Sequence, residues 1–87
     1  MDKKYYIHWA ESFLGKGTAY MEVIDDTITR QAEIYGQQSF WADEYGQKDE
    51  RFMLADRPAS VAGLTQEYEI NQTEFEDVWR KVRGSLA

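Results

Sequence analysis

One amphipathic pattern near the end of the chain constrains the fold more than any other feature. Across residues 70–86, apolar side chains recur at the spacing of one helical face. The stripe consists of Phe75, Val78, Trp79, Val82 and Leu86. Asn71 is placed to cap the first turn of this helix, and Gly84 is placed to end it. A helix with a single apolar face needs a second layer to bury that face, so the rest of the chain should supply a sheet.

Four stretches before the helix show the composition and alternation of β-strands. They span residues 4–9, 18–25, 28–35 and 39–44, and we expect residues 11–17 to form a loop. The connections between the strands are short, which favours antiparallel neighbours because parallel strands need a long crossover. The sequence therefore predicts a single α+β domain over residues 1–87. It consists of an antiparallel meander of about four strands with the C-terminal α-helix packed on one face.

The alternation within each strand predicts which residues face the helix. The expected core joins the helical stripe to Ile7, Trp9, Met21, Val23, Ala32 and Ile34. The opposite face of the sheet then carries an aromatic and acidic set, which is Tyr6, His8, Tyr20, Glu22, Glu33, Tyr35, Trp41 and Asp43. Tyrosine and tryptophan are enriched at recognition surfaces, so this face is the candidate partner-binding surface. The alternative is that residues 45–63 cover it or that the rings only pair across strands.

Charge and composition narrow the classes of function. Sixteen acidic and ten basic residues give a net charge of −6, which opposes direct binding to nucleic acid. No apolar run is long enough to span a membrane, and no signal-peptide pattern opens the chain, so we expect a cytoplasmic protein without a membrane partner. There is no cysteine, so disulfides and thiolate–metal sites are excluded.

A catalytic or metal site is a weak interpretation of this sequence. His8 is the only histidine, and Glu22 and Glu33 are expected beside it on neighbouring strands. A histidine with two carboxylates could act in acid–base chemistry or hold a ligand. The usual metal-ligand spacings are missing, however, and no nucleophile stands in a catalytic order. We therefore predict no catalytic residue, no metal and no cofactor, and hence no enzyme.

Several short motifs resemble a family of small bacterial domains of unknown function. They lie at residues 6–9, 20–26, 30–36, 54–58, 69–71 and 75–79. The resemblance implies a compact domain built from a sheet and a helix. It implies no activity, cofactor or partner.

These observations favour a small acidic protein that binds another protein. We expect an inhibitor or immunity-type protein whose partner is basic or binds nucleic acid, such as a nucleic-acid-handling defence enzyme. The alternative is a homo-oligomeric structural module, with the aromatic face serving as a homodimer interface. A small ligand- or RNA-binding domain is the third hypothesis, since exposed rings on a sheet can stack on bases.

Overall fold

The computed structural model describes residues 2–84, which form one antiparallel sheet and one α-helix. The strands are β1 (Lys3–Ser12), β2 (Gly15–Ile24), β3 (Thr27–Tyr35), β4 (Gln38–Asp43), β5 (Gly46–Gln47) and β6 (Glu69–Ile70). A 3₁₀ turn (Gln66–Tyr68) precedes β6, and α1 (Gln72–Gly84) follows it. In the sheet the strands lie in the order β5-β4-β3-β2-β1-β6. The α+β class is confirmed, but the count of four strands is wrong because β5 and β6 extend the sheet at its two edges.

Two-residue turns join the four long strands. The pairs that close them are Ser12 with Gly15, Ile24 with Thr27, and Tyr35 with Gln38. The loop expected over residues 11–17 is therefore wrong, since all but two of these residues belong to strands. In the second turn, Asp25 and Asp26 both have positive φ, of 49° and 69°. Two successive positive values match the right-handed twist of the strands on either side.

Turn length decides which side chains share a face of the sheet. A two-residue turn pairs an even-numbered residue with an odd-numbered one, so Tyr6 lies opposite Met21. In β3 the register then shifts by one residue, because the Glu22–Arg30 pair is followed by the Val23–Ile28 pair. This is a β-bulge with one extra residue in β3, and it reverses the alternation of that strand. The core predicted from alternation alone is therefore distributed over both faces.

The α-helix covers one face, which we call the helix side. Four residues paired in one row across the sheet lie beneath α1, namely Tyr5, Glu22, Arg30 and Asp43. The next row consists of Ile7, Tyr20, Ala32 and Trp41, and the third consists of Trp9, Thr18, Ile34 and Ser39. Because α1 has 13 residues, no helix in the described part of the chain is long enough to cross a membrane.

Residues 52–64 cover the other face, which we call the loop side. One apolar cluster joins β1, β2 and β3 to this covering segment through Tyr6, Ala19, Met21, Val23, Ile28, Ala59 and Leu64. A second cluster joins Tyr35 and Phe40 to Phe52. The β2–β3 turn anchors the segment, because the Asp26 carboxylate accepts hydrogen bonds from the Ser60 backbone N–H and hydroxyl, each at 2.9 Å. The sheet is thus a middle layer with two cores.

The start of α1 follows the sequence prediction. The Asn71 side chain caps the helix, because its Oδ1 accepts a hydrogen bond from the Glu74 N–H at 2.8 Å. Phe75 is fully buried against the sheet, with its ring centroid 5.2 Å from that of Tyr5. Leu86, the last member of the predicted stripe, lies outside the described residues.

Gly17 tests the packing of the loop side. A Cβ at Gly17 would collide with the carbonyl oxygen of Ile34 and lie 2.5 Å from Cδ1 of Tyr35. We expect Gly17→Ala to lower the free energy of unfolding by about 2–3 kcal/mol, because the backbone oxygen cannot rotate away. Gly46→Ala is the matched control in a strand, since nothing lies within 4 Å of its Cβ position. Urea denaturation measures both, and equal stabilities would contradict the packing described here.

Candidate protein-binding surface

The eight residues predicted to share one outward face lie on two different faces. Four of them are on the loop side, namely Tyr6, His8, Glu33 and Tyr35. The other four are on the helix side, namely Tyr20, Glu22, Trp41 and Asp43. The single aromatic and acidic face is therefore wrong, because the two-residue turns and the bulge set the alternation differently in each strand. Whether any of these residues contacts a partner stays a prediction.

The loop-side members are largely occupied by internal contacts. Tyr6 and Tyr35 are buried at 6% exposure each, beneath the covering segment. The Tyr35 hydroxyl donates to Glu33 at 2.5 Å, and Gln31 donates to the other carboxylate oxygen at 3.0 Å. Burial and the bond to Glu33 raise the pKa of Tyr35 to about 12. Residues 52–64 therefore cover this side of the sheet, which is the alternative stated for residues 45–63, and of the four members only His8 and Glu33 remain half-exposed.

A partly buried ion pair network, in which only Glu22 is buried, connects α1 to the helix side. Arg30 donates to Glu22 at 2.5 Å and makes two bonds to Glu76 of α1, at 2.7 and 3.0 Å. Thr29, the extra residue of the bulge, donates to the other Glu22 oxygen at 2.8 Å. The bulge thus brings two donors to one carboxylate that is only 5% exposed. Glu22 is therefore part of the structural core.

The pKa values of this network follow its hydrogen bonds. Burial alone would raise the pKa of Glu22, but the bonds from Arg30 and Thr29 lower it below its ordinary value. The bonds from Arg30 also lower the pKa of Glu76. Burial opposes the charge of Arg30, yet the two carboxylates raise its pKa. All three groups therefore stay ionised at neutral pH.

Aromatic rings extend the same network toward β4. The Arg30 guanidinium carbon lies 4.8 Å from the ring centroid of Phe75 and 5.2 Å from that of Trp79. Arg83, near the end of α1, lies 3.9 Å from the Trp41 ring centroid and 3.5 Å from the Asp43 carboxylate. Such cation–π contacts favour the charged form beside the ring face. Trp41 and Asp43 therefore stabilise the packing of α1 on the sheet through their contacts with Arg83.

The candidate acid–base trio is not assembled. His8 and Glu33 lie on the loop side, where β2 separates their strands, whereas Glu22 lies on the helix side. Within residues 2–84, no three residues of the ligand types histidine, cysteine, aspartate and glutamate are grouped closely enough to hold a metal ion. The prediction that the protein is not an enzyme stays a prediction.

An apolar area on the helix side remains partly open beyond α1. Its members come from the second and third rows, and we call them the open patch: Ile7, Trp9, Thr18, Tyr20 and Ile34. The ring contacts and ion pairs of α1 concentrate on the first row and on Trp41. Trp9 is 68% exposed, and the other four are half-buried. A large aromatic side chain therefore faces solvent from the middle of a strand.

Sequence reasoning missed this patch because it placed Trp9, Ile7 and Ile34 in the core beneath the helix. They do lie on the helix side, as predicted, but α1 covers a different row. The length of the helix could have indicated that part of this face stays uncovered. A 13-residue helix spans about 20 Å and can cross a sheet once, so it leaves part of a face with ten-residue strands uncovered.

Comparisons with known proteins add no assignment to this surface. No protein-family model, curated protein or solved structure matches the chain. The resemblance to small bacterial domains thus has no support from a family model, and the open patch must be interpreted from its own chemistry.

Replacement of Arg30 tests the ion network. We expect Arg30→Met to lower the free energy of unfolding by about 3–5 kcal/mol, because Glu22 would remain buried without its cation. Arg80→Met is the matched control, since Arg80 is 74% exposed and pairs only with Asp77 on the same helix. That control should change stability by about 0.5 kcal/mol or less. Urea denaturation at pH 7 measures both, and similar effects would refute a buried network.

Acid titration tests the same network independently. Folding lowers the pKa values of Glu22 and Glu76 from their ordinary 4.5, so the folded state is favoured by their ionisation above that pH. This contribution is lost as the pH falls through the lower, folded-state pKa values. We expect the stability difference between the native chain and Glu76→Gln to shrink as the pH falls below about 4.5. A difference that is constant between pH 7 and pH 3, measured by urea denaturation, would contradict the shifts.

Proposed function

We propose that the protein is a non-catalytic binding protein that inhibits or neutralises another protein through the open patch. The observation that supports this most directly is the exposure of Trp9 in the middle of β1, beside the half-buried Ile7 and Tyr20. Exposed apolar clusters of this kind on a small domain are typical of interaction sites. Tryptophan in particular is enriched among the residues that dominate binding energy.

The charge of the chain favours a basic partner. The net charge is −6, and exposed Glu11 follows Trp9 by two residues on the same strand, β1. Opposite charge on the partner would accelerate association and set its orientation. Nucleic-acid-handling enzymes carry basic grooves, so an inhibitor or immunity-type protein acting on such an enzyme fits this chemistry. We propose that it acts in the cytoplasm, as the sequence predicts.

A homo-oligomeric module is the second candidate function, because the same patch could pair with a second copy. The net charge of −6 disfavours that arrangement, since two copies carry charge of the same sign. Sedimentation velocity at micromolar concentration separates the two candidates. A monomer leaves the patch free for a different partner, and a dimer dissociated by Trp9→Ala would favour self-association.

If the open patch binds a partner, substitution of Trp9 should weaken binding much more than it lowers the stability of the fold. We expect Trp9→Ala to lower affinity for the partner by at least about tenfold, because a central aromatic contact is lost. Its free energy of unfolding should change by only about 1 kcal/mol, since the ring is already mostly in water. Affinity capture from cells followed by calorimetry with the purified partner measures the first quantity, and urea denaturation measures the second.

Tyr45→Ala provides the control for this experiment. Tyr45 is 91% exposed and lies in the β4–β5 turn, at the far edge of the sheet from Trp9. It should leave affinity unchanged. If the two substitutions have the same effect on binding, the open patch is not the contact surface.

A further inference from the structure

The outer edge of β1 is unpaired along most of its length. β6 pairs with β1 only at Tyr5 and Tyr6, and β1 continues for six more residues, 7–12. No other strand in the described part of the chain pairs with that edge. Six residues of strand span about 20 Å, which is long enough to pair with an extended segment. Exposed edges of this length are usually shielded, because they can pair with other chains.

The opposite edge of the sheet is shielded. β5 pairs with β4 at Ala42 and Asp43, and the Lys48 N–H donates to the carbonyl of Trp41 at 3.0 Å. The Lys48 ammonium then donates to the carbonyl of Ser39 at 2.7 Å. A lysine on an edge is a known protection against strand addition. The two edges therefore differ, and β1 is the accessible one.

Three rings flank the open edge of β1. The His8 ring centroid lies 4.1 Å from that of Trp9 and 4.5 Å from that of Tyr68, which precedes β6. The His8 Nδ1–H donates to the Trp9 carbonyl at 3.0 Å, so the ring blocks one acceptor of the backbone. An incoming strand would compete with this single side-chain bond, which contributes only about 1 kcal/mol. The rings thus border the edge without closing it.

Unpaired carboxylates lie around the same edge. They are Glu11 on β1, Glu67 in the 3₁₀ turn and Glu69 on β6. All three are exposed, and none forms an ion pair with another residue between 2 and 84. Two cations lie at the β1–β2 hairpin end. Lys16 is paired with Glu11 across the strands, and Arg51, which forms an ion pair with Asp49, lies 4.9 Å from the ring centroid of Phe13 in the turn. Because carboxylates outnumber cations beside this edge, a segment that binds there is expected to be positively charged.

We propose that an extended, basic segment of a partner protein adds as a strand to the edge of β1 over residues 7–12. The added backbone would pair with β1, and its lysine or arginine side chains would meet the three carboxylates. Alternate side chains of the segment would pack beside Trp9 on the helix side. The proposal rests on the proposed function, since the edge borders the open patch, and it names the mode of binding and the chemistry of the partner.

A second copy of this chain is the less favourable occupant. Pairing two β1 edges would place Glu11 and its neighbouring carboxylates from both copies along one short interface. Carboxylates of like charge that are brought close together across an interface repel each other and weaken association. The added strand is therefore assigned to a basic partner, and self-pairing becomes an outcome of the test.

A pair of hexapeptides tests the proposal directly. The probe alternates lysine with valine, and its control alternates glutamate with valine at the same length. The lysine peptide should shift the backbone amide resonances of residues 7–12. It should slow hydrogen exchange at least fivefold at the alternate amides of this stretch that point away from β2. The glutamate peptide should bind at least about tenfold more weakly. A lysine peptide N-methylated at alternate amides should lose binding, because strand pairing needs those donors.

Charge variants of the protein provide the second arm. Glu67→Lys and Glu69→Lys should each weaken the lysine peptide about two- to fivefold, as expected for exposed charges. Glu44→Lys is the control, because Glu44 is exposed in the β4–β5 turn at the shielded edge. All three substitutions lie at exposed positions, so their fold should be retained, which circular dichroism checks.

Three outcomes would overturn the proposal. The first is that the lysine peptide at millimolar concentration leaves the amides of residues 7–12 unchanged. The second is that it protects residues 38–41 instead. The third is that the free protein sediments as a dimer in which the amides of residues 7–12 that point away from β2 are already protected. If the peptide fails while Trp9→Ala still weakens the captured partner, strand addition is wrong and the proposed function stands.

Discussion

The contact of Arg30 with Glu22 and Glu76 is the interaction on which the helix side depends. A guanidinium that is desolvated between a sheet and a helix is favourable only when its donors are satisfied. Here two carboxylates from different elements satisfy it, and the rings of Phe75 and Trp79 pack beside it. Because the guanidinium fork has a fixed geometry, it also sets where α1 crosses the sheet. The crossing point in turn determines which residues remain open.

Element positions could be predicted from this sequence far better than the faces of the strands. The helix, its Asn71 cap and the central parts of the four long strands follow from local patterns that need no tertiary information. The face of each strand depends on the turn lengths and on the bulge at Thr29, where one extra residue inverts the alternation. An error of one residue moves a whole strand's side chains to the other face. Strict alternation places Ile28 and Ala32 on the same face of β3. In the structure Ile28 lies on the loop side and Ala32 lies on the helix side.

The candidate site could be predicted only in part. An aromatic and acidic composition indicated a binding protein, but the residues selected for contact were mostly those that hold the structure together. Glu22 and Tyr35 are buried and hydrogen-bonded, and Trp41 packs against Arg83. Composition cannot separate these from Trp9, because a buried and an exposed ring have the same sequence signal. Only the position of α1 on the sheet distinguishes them.

Ion pairs within the chain also affect the distribution of charge on the surface that a partner would contact. Between residues 2 and 84, five of the ten basic side chains are engaged in ion pairs with carboxylates, namely Lys4, Arg30, Arg51, Arg80 and Arg83. These pairs lie at the start of β1, within or beneath α1, and near β4 and the segment that follows it. Glu67 of the 3₁₀ turn and Glu69 of β6 form no ion pair with another residue between 2 and 84. Three of the carboxylates that form no ion pair within residues 2–84, those of Glu11, Glu67 and Glu69, lie on or next to the edge of β1 that no strand pairs over residues 7–12. Charge and hydrogen-bonding capacity coincide at this edge, and this coincidence favours an extended basic segment over a flat apolar partner.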